Sequence, residues 1–219
     1  MINAQKADKI ISGILESPIE SRTVEFKPSF SWPSRIDELQ SNGKAQEVIK
    51  SILAMSNIRD GGKIILGVEK DGSNQKYVLK GMRNEDVNTY DQDLIFEHVR
   101  NFGKPEPKFQ VLNIKYDSKN FIVFAVQSFI STPIICHNYR NLRQLDNASL
   151  YIRTDKPETK KITESWEMKE IVDLAIEKEL DSFSSRMQRL LKTVSGTKVL
   201  KITKDDEEKF KEELKDVKK

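Results

Sequence analysis

The run Lys63-Ile64-Ile65-Leu66-Gly67-Val68 constrains the fold more than any other stretch, because it reads as an apolar strand that needs cover on both faces. It is entered through an Asp60-Gly61-Gly62 turn, where paired glycines permit positive φ. Before the turn, from Lys44 to Ile58, Ala45, Val48, Ile49, Ile52, Leu53 and Met55 recur at near-helical spacing and form a stripe to bury. The two elementary periods go on alternating along the chain. The first 16 residues read as a short helix, and Thr23-Val24-Glu25-Phe26-Lys27 alternates as a half-buried strand until Pro28 and Pro33 stop it. Spacing predicts a helix over 89–102, with Tyr90, Leu94, Ile95, Val99 and Phe102 on one side. A hairpin of strands 109–116 and 121–129 follows around Asp117-Ser118-Lys119-Asn120, and short strands at 133–136 and 149–153 complete the sheet. From Thr163 a helical pattern runs to Ser195-Gly196, with capping chemistry in Thr163-Glu164-Ser165-Trp166-Glu167. The expected class is α+β, a mixed sheet flanked by helices with a long C-terminal helix.

The chain has 219 residues, enough for one domain with a sizeable core and an extension. A single cysteine, Cys136, forms no internal disulfide, and the start lacks a basic-then-apolar leader, so the expected compartment is the reducing cytoplasm. No apolar run approaches the roughly 20 residues of a membrane span, so no membrane partner is expected. Basic residues number 37 and acidic ones 34, a net +3 that neither demands nor excludes nucleic acid; clustering decides. Residues 201–219 hold seven of each sign, so 197–219 reads as a charged flexible tail and the excess belongs upstream. From His137 to Lys161, Arg140, Arg143, Arg153, Lys156, Lys160 and Lys161 face only Asp146, Asp155 and Glu158. Tyr139 and Tyr151 lie among these cations, the mix of phosphate clamps and stacking rings that looped or single-stranded RNA favours. The competing view is a solvated loop.

Three segments stand out together: Glu20-Ser-Arg-Thr-Val-Glu25-Phe-Lys27, then Ala54-Met-Ser-Asn57 with Gly61-Gly62 and Gly67-Val68-Glu69, then Tyr151-Ile-Arg153. In order, spacing and intervening structure the set resembles the Schlafen AlbA-type nucleic-acid-binding domain over roughly residues 10–175. The resemblance implies a mixed domain, residues 1–175, that binds nucleic acid, RNA favoured and DNA possible. In some relatives it implies metal-dependent endoribonuclease activity towards structured RNA such as tRNA. Glu20 and Glu25 match two glutamates of that activity, and Glu69 or Asp71 takes the third position, or the trio is incomplete. Nuclease members carry a second acid where this chain has Lys70. The implied metal ligands are Glu20, Glu25 and Glu69, and the cofactor is Mg²⁺ or Mn²⁺, which such carboxylates hold with waters left in place. Lys27 shares a strand face with Glu25 and is expected beside a phosphate. Glu20 lies an odd number of residues from Glu25, so the two converge only if a turn or bulge intervenes near Ser21-Arg22. The plainer view of Glu25 and Lys27 is the wet face of an amphipathic strand.

Arg153 is the firmest binding residue, since it also matches the late Tyr-x-Arg strand. Phe30 and Trp32 are either exposed stacking residues or a hydrophobic lid, while Asn57, Gly61 and Gly62 are expected to be structural. No Gly-x-x-x-x-Gly-Lys-Ser/Thr loop occurs, so no ATP is expected, and Cys136-His137 has no second cysteine, so no zinc. Cys136 and His98 read as core side chains. Larger Schlafen proteins pair two lobes; this chain has room for one, so a homodimer is expected, with helix 163–196 as its seam. Two other functions stay open: a non-catalytic DNA- or RNA-binding regulatory or adaptor module, supported by Lys70, and a protein-interaction domain.

Overall fold

The computed structural model describes residues 4–72 and 76–196. In chain order these are α1 (Ala4–Glu16), β1 (Val24–Lys27), α2 (Gly43–Ser56), β2 (Gly62–Leu66), β3 (Val68–Lys70), β4 (Tyr77–Leu79), α3 (Asn84–Val87) and α4 (Gln92–Arg100). Then come β5 (Gly103–Lys104), β6 (Phe109–Tyr116), β7 (Lys119–Val126), β8 (Ile135–Cys136), β9 (Tyr151–Arg153), β10 (Thr159–Lys161) and α5 (Ser165–Gly196). The class is α+β, as expected. Of the described residues, those up to Ile176 form one compact unit and those from Glu177 belong to a second; the proposed tail, 197–219, lies outside the described residues. No helix among the described residues is long and apolar enough to cross a membrane.

The central sheet has strand order β1-β2-β7-β6, with β1 parallel to β2 and the other pairs antiparallel. Alternation sorts its side chains into two cores. Ile64 and Leu66 of β2 and Ile122, Phe124 and Val126 of β7 face α2, whose Ile49, Ile52 and Leu53 are fully buried among them. Ile65, Phe121 and Val123 face the other way, where Ile11 and Leu15 of α1 cover them with Val24 and Phe26 of β1. The apolar central strand is therefore covered on both sides, the arrangement its composition demands. Removing one such buried Leu or Ile side chain to Ala costs about 2–5 kcal/mol.

Three expectations need correction. The strand at 63–68 is two strands: Gly67, at φ +97°, ends β2 and turns the chain into β3, which pairs with β4 rather than with the main sheet. The short strands near 135 and 151 do not complete the central sheet either. β8 pairs with β5, and β9 with β10, which the sequence did not announce because Thr159-Lys160-Lys161 has no apolar alternation. The helix expected over 89–102 is α4 alone, started at its N-cap Asp91, whose side chain accepts from Leu94 N; the preceding turn α3 is separate. At the start of α5 the capping chemistry is present: the buried Glu167 carboxylate accepts from the amides of Thr163 and Glu164, each at 3.3 Å.

Candidate functional site

β1 is an edge strand, so one side of its backbone has no neighbour in the sheet. The motif residues occupy that edge. Ser21 and Val24 close a tight turn, with Ser21 N donating to Val24 O at 3.0 Å, the turn that an odd Glu20–Glu25 spacing requires. It hands the two acids to different partners. Glu20 accepts from the edge amide of Phe26 at 3.0 Å and from the Tyr77 hydroxyl at 2.6 Å. Burial and the Glu20 carboxylate raise the Tyr77 pKa.

Glu25, opposite Ile64 in the register, points to the α2 face and is 6% exposed. Its Oε1 is 3.1 Å from Lys27 Nζ and its Oε2 3.2 Å from Arg153 Nη1. Lys27 also reaches Glu47 of α2 at 2.9 Å. Burial works against the Lys27 ammonium, but Glu25 and Glu47 outweigh it and hold its pKa above the ordinary lysine value. Arg153 comes from β9 and is 2% exposed. Its Nη2 donates to the edge carbonyls of Ser21 at 3.1 Å and Val24 at 3.4 Å, and its Nη1 to Thr159 Oγ1 at 3.3 Å. Glu20 thus takes the open-side amide of Phe26, and Arg153 adds a donor to the two carbonyls of the Ser21–Val24 turn, one residue from each end of the chain's motif set.

Glu69 is exposed on β3, and Asp71 follows that strand, its amide donating to Lys76 O at 2.7 Å. Among the described residues no group of three or more His, Cys, Asp and Glu side chains is disposed to hold a metal ion. Both oxygens of Glu20 accept from donors, and both of Glu25 face cations. In this arrangement the donor set does not fit Mg²⁺ or Mn²⁺.

The basic segment divides sharply. Tyr151 is 1% exposed, its hydroxyl accepting from Asp146 N at 2.6 Å, so it and Arg153 belong to the interior and cannot meet a base or a phosphate. Lys160 pairs with the buried Glu167, whose pKa is held down against the effect of burial by that lysine and the two amides. Lys161 lies 3.6 Å from Asp146. Arg140 donates to Asp37 at 2.7 Å and sits over the Tyr139 ring, 5.3 Å from its centroid. Arg143 and Lys156 are exposed, and no ion pair between described residues involves either. Tyr139 is 48% exposed, with His137 5.7 Å from it. What holds this loop is a residue that sequence reading passed over: Asn138, buried, donates to Leu142 O at 2.9 Å and Leu145 O at 2.6 Å and accepts from Leu142 N. An asparagine four and seven residues ahead of the loop's two leucines, Leu142 and Leu145, is the available signal.

Phe30 and Trp32 resolve as interior residues, 5% and 2% exposed, packed with Tyr90 and Phe124; Trp32 Nε1 donates to His98 Nδ1 at 3.2 Å. Burial lowers the pKa of His98 and pushes the Cys136 thiol up to about 12, consistent with core roles for both. The Phe30 loop is tied down by Asp86, wholly buried, which accepts from Ser29 and Ser31, each at 2.5 Å, and from Arg83 at 2.7 Å. Burial raises the Asp86 carboxyl, yet Arg83 and the two hydroxyls outweigh it and keep it below the usual carboxylate range. Beside it opens a cleft of about 640 Å³ bordered by Lys44, Lys80 and Arg83 with Glu69, a basic feature that sequence order scatters. Asn57 is structural as expected, though it does more than end α2: its amide bonds Ile134 N and O and Tyr151 O, joining two remote segments to the helix.

The family model described as Schlafen, AlbA_2 matches residues 20–163. No curated protein matches the chain. Among solved structures, the DIP2311 protein from Corynebacterium diphtheriae is similar at 14% identity with a TM-score of 0.45, over 73% of this chain and 27% of that one, so the chain spans about a quarter of that protein's length. The N-terminal domain of a putative ATP-dependent DNA helicase RecG-related protein from Nitrosomonas europaea is similar at 16% identity with a TM-score of 0.43, over 73% of this chain and 95% of that one.

Proposed function

This chain belongs to the Schlafen AlbA_2 family, and from that premise we propose that it is a cytoplasmic nucleic-acid-binding module, acting on looped or single-stranded RNA in preference to DNA and not cleaving it. The observation that carries the reading is the Asn138-anchored loop, which presents Tyr139 at 48% exposure with Arg140 over its ring and Arg143 in solvent. The Tyr139 ring, stacked with Phe102 at 6.2 Å and carrying one guanidinium over it, keeps about half its surface open, which suits an unstacked base with a phosphate beside it. Cleavage is not expected because the acids are otherwise placed: Glu20 is engaged by an amide and a hydroxyl, Glu25 by two cations, and Glu69 is exposed on β3. The same reading takes the protein as a homodimer.

The test is fluorescence anisotropy with labelled tRNA, single-stranded RNA and single-stranded DNA, alongside incubation of each in Mg²⁺, Mn²⁺ or EDTA. Binding in all three buffers, tightest for RNA, with the nucleic acid intact is the expected result. Metal-dependent cleavage that disappears in Glu25→Gln would restore the nuclease and make the third acid, Glu69 or Asp71, the next question. Absence of binding to every probe would leave the protein-interaction reading.

A further inference from the structure

The homodimer in the preceding reading requires a seam, and α5 carries the pattern for one. Ile176, Leu180, Phe183, Met187 and Leu190 recur in alternating steps of four and three residues, the spacing of a coiled-coil stripe. In the second unit Leu180, Phe183 and Leu190 are 62%, 57% and 60% exposed, an apolar line with polar residues to either side. Its flanks are charged unequally: Glu179 lies toward the N-terminal end and Arg186 toward the C-terminal end. One heptad apart on the same flank, they sit 3.5 Å from each other, Arg186 Nη2 to Glu179 Oε2.

Resting on the homodimer reading, we propose that a second copy of this chain covers the stripe as an antiparallel coiled coil centred between Leu180 and Phe183. The flanking charges select this arrangement. In a parallel pair the flank residues of one helix face the opposite flank of the other, which sets Glu179 against Ser184 and Arg186 against Leu191, with no charge pair. In an antiparallel pair like flanks meet. Placing Leu180 opposite Phe183 of the second copy brings Glu179 beside the other copy's Arg186, and symmetry repeats the pair. Sliding by one heptad in one direction sets Arg186 against Arg186; sliding in the other sets Glu179 against Glu179. Only the central register turns both charges into attraction. It also stacks Ile176 on Met187 of the second copy on either side of the Leu180–Phe183 layers. Leu190 then meets Asp173, which ends the seam after a short apolar run, so the dimer dissociates on dilution.

Sedimentation equilibrium of the full chain tests this, with circular dichroism to confirm that helicity is retained. Wild type is expected to show a reversible monomer–dimer equilibrium and Phe183→Glu to be monomeric. Glu179→Arg is expected to weaken association about tenfold, because two attractive pairs become repulsive, and Glu179→Arg with Arg186→Glu to restore it. Register is read by oxidative cross-linking: a mixture of Ile176→Cys and Met187→Cys chains links, and Met187→Cys alone does not. The native Cys136 is 1% exposed and does not compete. A wild-type monomer at all concentrations overturns both the seam and the homodimer. A dimer that survives Phe183→Glu overturns the seam and keeps the homodimer, and self-linking of Met187→Cys overturns the antiparallel register. Nucleic-acid binding is measured separately and is not decided by any of these outcomes.

Discussion

Glu25 and Arg153 are both almost wholly removed from water, and each makes the other's burial tolerable: Nη1 meets the carboxylate at 3.2 Å and also reaches Thr159 Oγ1, Nη2 reaches Ser21 O and Val24 O, and Nε alone has no partner among the described residues. A buried pair of this kind is weak evidence of net stability, but breaking one side leaves the other short of a partner. Arg153→Met leaves Glu25 with Lys27 as its one cation and takes a donor from Ser21 O and Val24 O, so it is expected to destabilise the fold by about 1–3 kcal/mol. Pairing it with Glu25→Gln should be milder than the two single losses added together, since the second change removes the stranded charge. Urea unfolding of the four proteins of that cycle measures the coupling; additive losses would mean that Arg153 stabilises β1 through the edge carbonyls alone. The Glu-Phe-Lys and Tyr-x-Arg segments were legible in the sequence, and so was their importance. Their contact was not, because 128 residues separate them and strand alternation says only that Glu25 leaves one face, never which element closes over it. The same limit explains Tyr151: an apolar-polar count places it among cations, whereas packing against α2 takes it inside.

Among the elements, those with a long period were legible, and of the short ones β8 and β9 were expected within 133–136 and 149–153 while β4, β5 and β10 were not. α2 and α5 carry enough turns for an apolar stripe to declare itself, and the β6–β7 hairpin turns where Asp117 and Ser118 adopt φ of +47° and +58°. β5 and β10 are too short for any period to register, and the partners of β8 and β9 are set by the route of the chain. The division of residues 62–70 into β2 and β3 depends on one glycine. Gly67 sits at φ +97°, and a Cβ there would meet the Gly81 carbonyl carbon at 2.8 Å, backbone that has no rotamer by which to retreat. Gly67 O also accepts from Gly81 N at 2.8 Å, so the close approach is part of how the β3–β4 hairpin is attached. Gly67→Ala is accordingly expected to destabilise by about 2 kcal/mol or more, the left-handed conformation alone contributing about 1–2. Gly72→Ala, where no heavy atom of the described residues beyond its chain neighbours lies within 4 Å of the added Cβ and φ is not positive, is the matched control and should change stability by less than about 0.5 kcal/mol. Equal losses in the two variants would show that the Gly67 turn relaxes and that β3 is not fixed by it.

For the molecule as a whole, a net charge of +3 says little until the cations are sorted by what already holds them. Arg153, Lys160, Lys161 and Arg140 have carboxylate partners within the fold, so their charge is largely answered before any nucleic acid arrives. Arg143 and Lys156 stand in solvent. If binding runs across this surface, these two and not the more numerous paired residues set its salt dependence. Each phosphate contact to a single strand contributes a slope of about −0.7 in log K against log salt. Arg143→Gln with Lys156→Gln should flatten that slope by about 1.4, while leaving the unfolding free energy within about 0.5 kcal/mol because both side chains are exposed. Tyr139→Ala separates the other contribution: a lost base stack weakens binding by about 1–3 kcal/mol at every salt concentration and leaves the slope alone. Anisotropy titrations across a salt series distinguish the two behaviours in one experiment. A slope unchanged by the double substitution would move the phosphate track off this loop and onto the cleft bordered by Lys44 and Lys80, where Lys44→Gln with Lys80→Gln should then do the flattening instead.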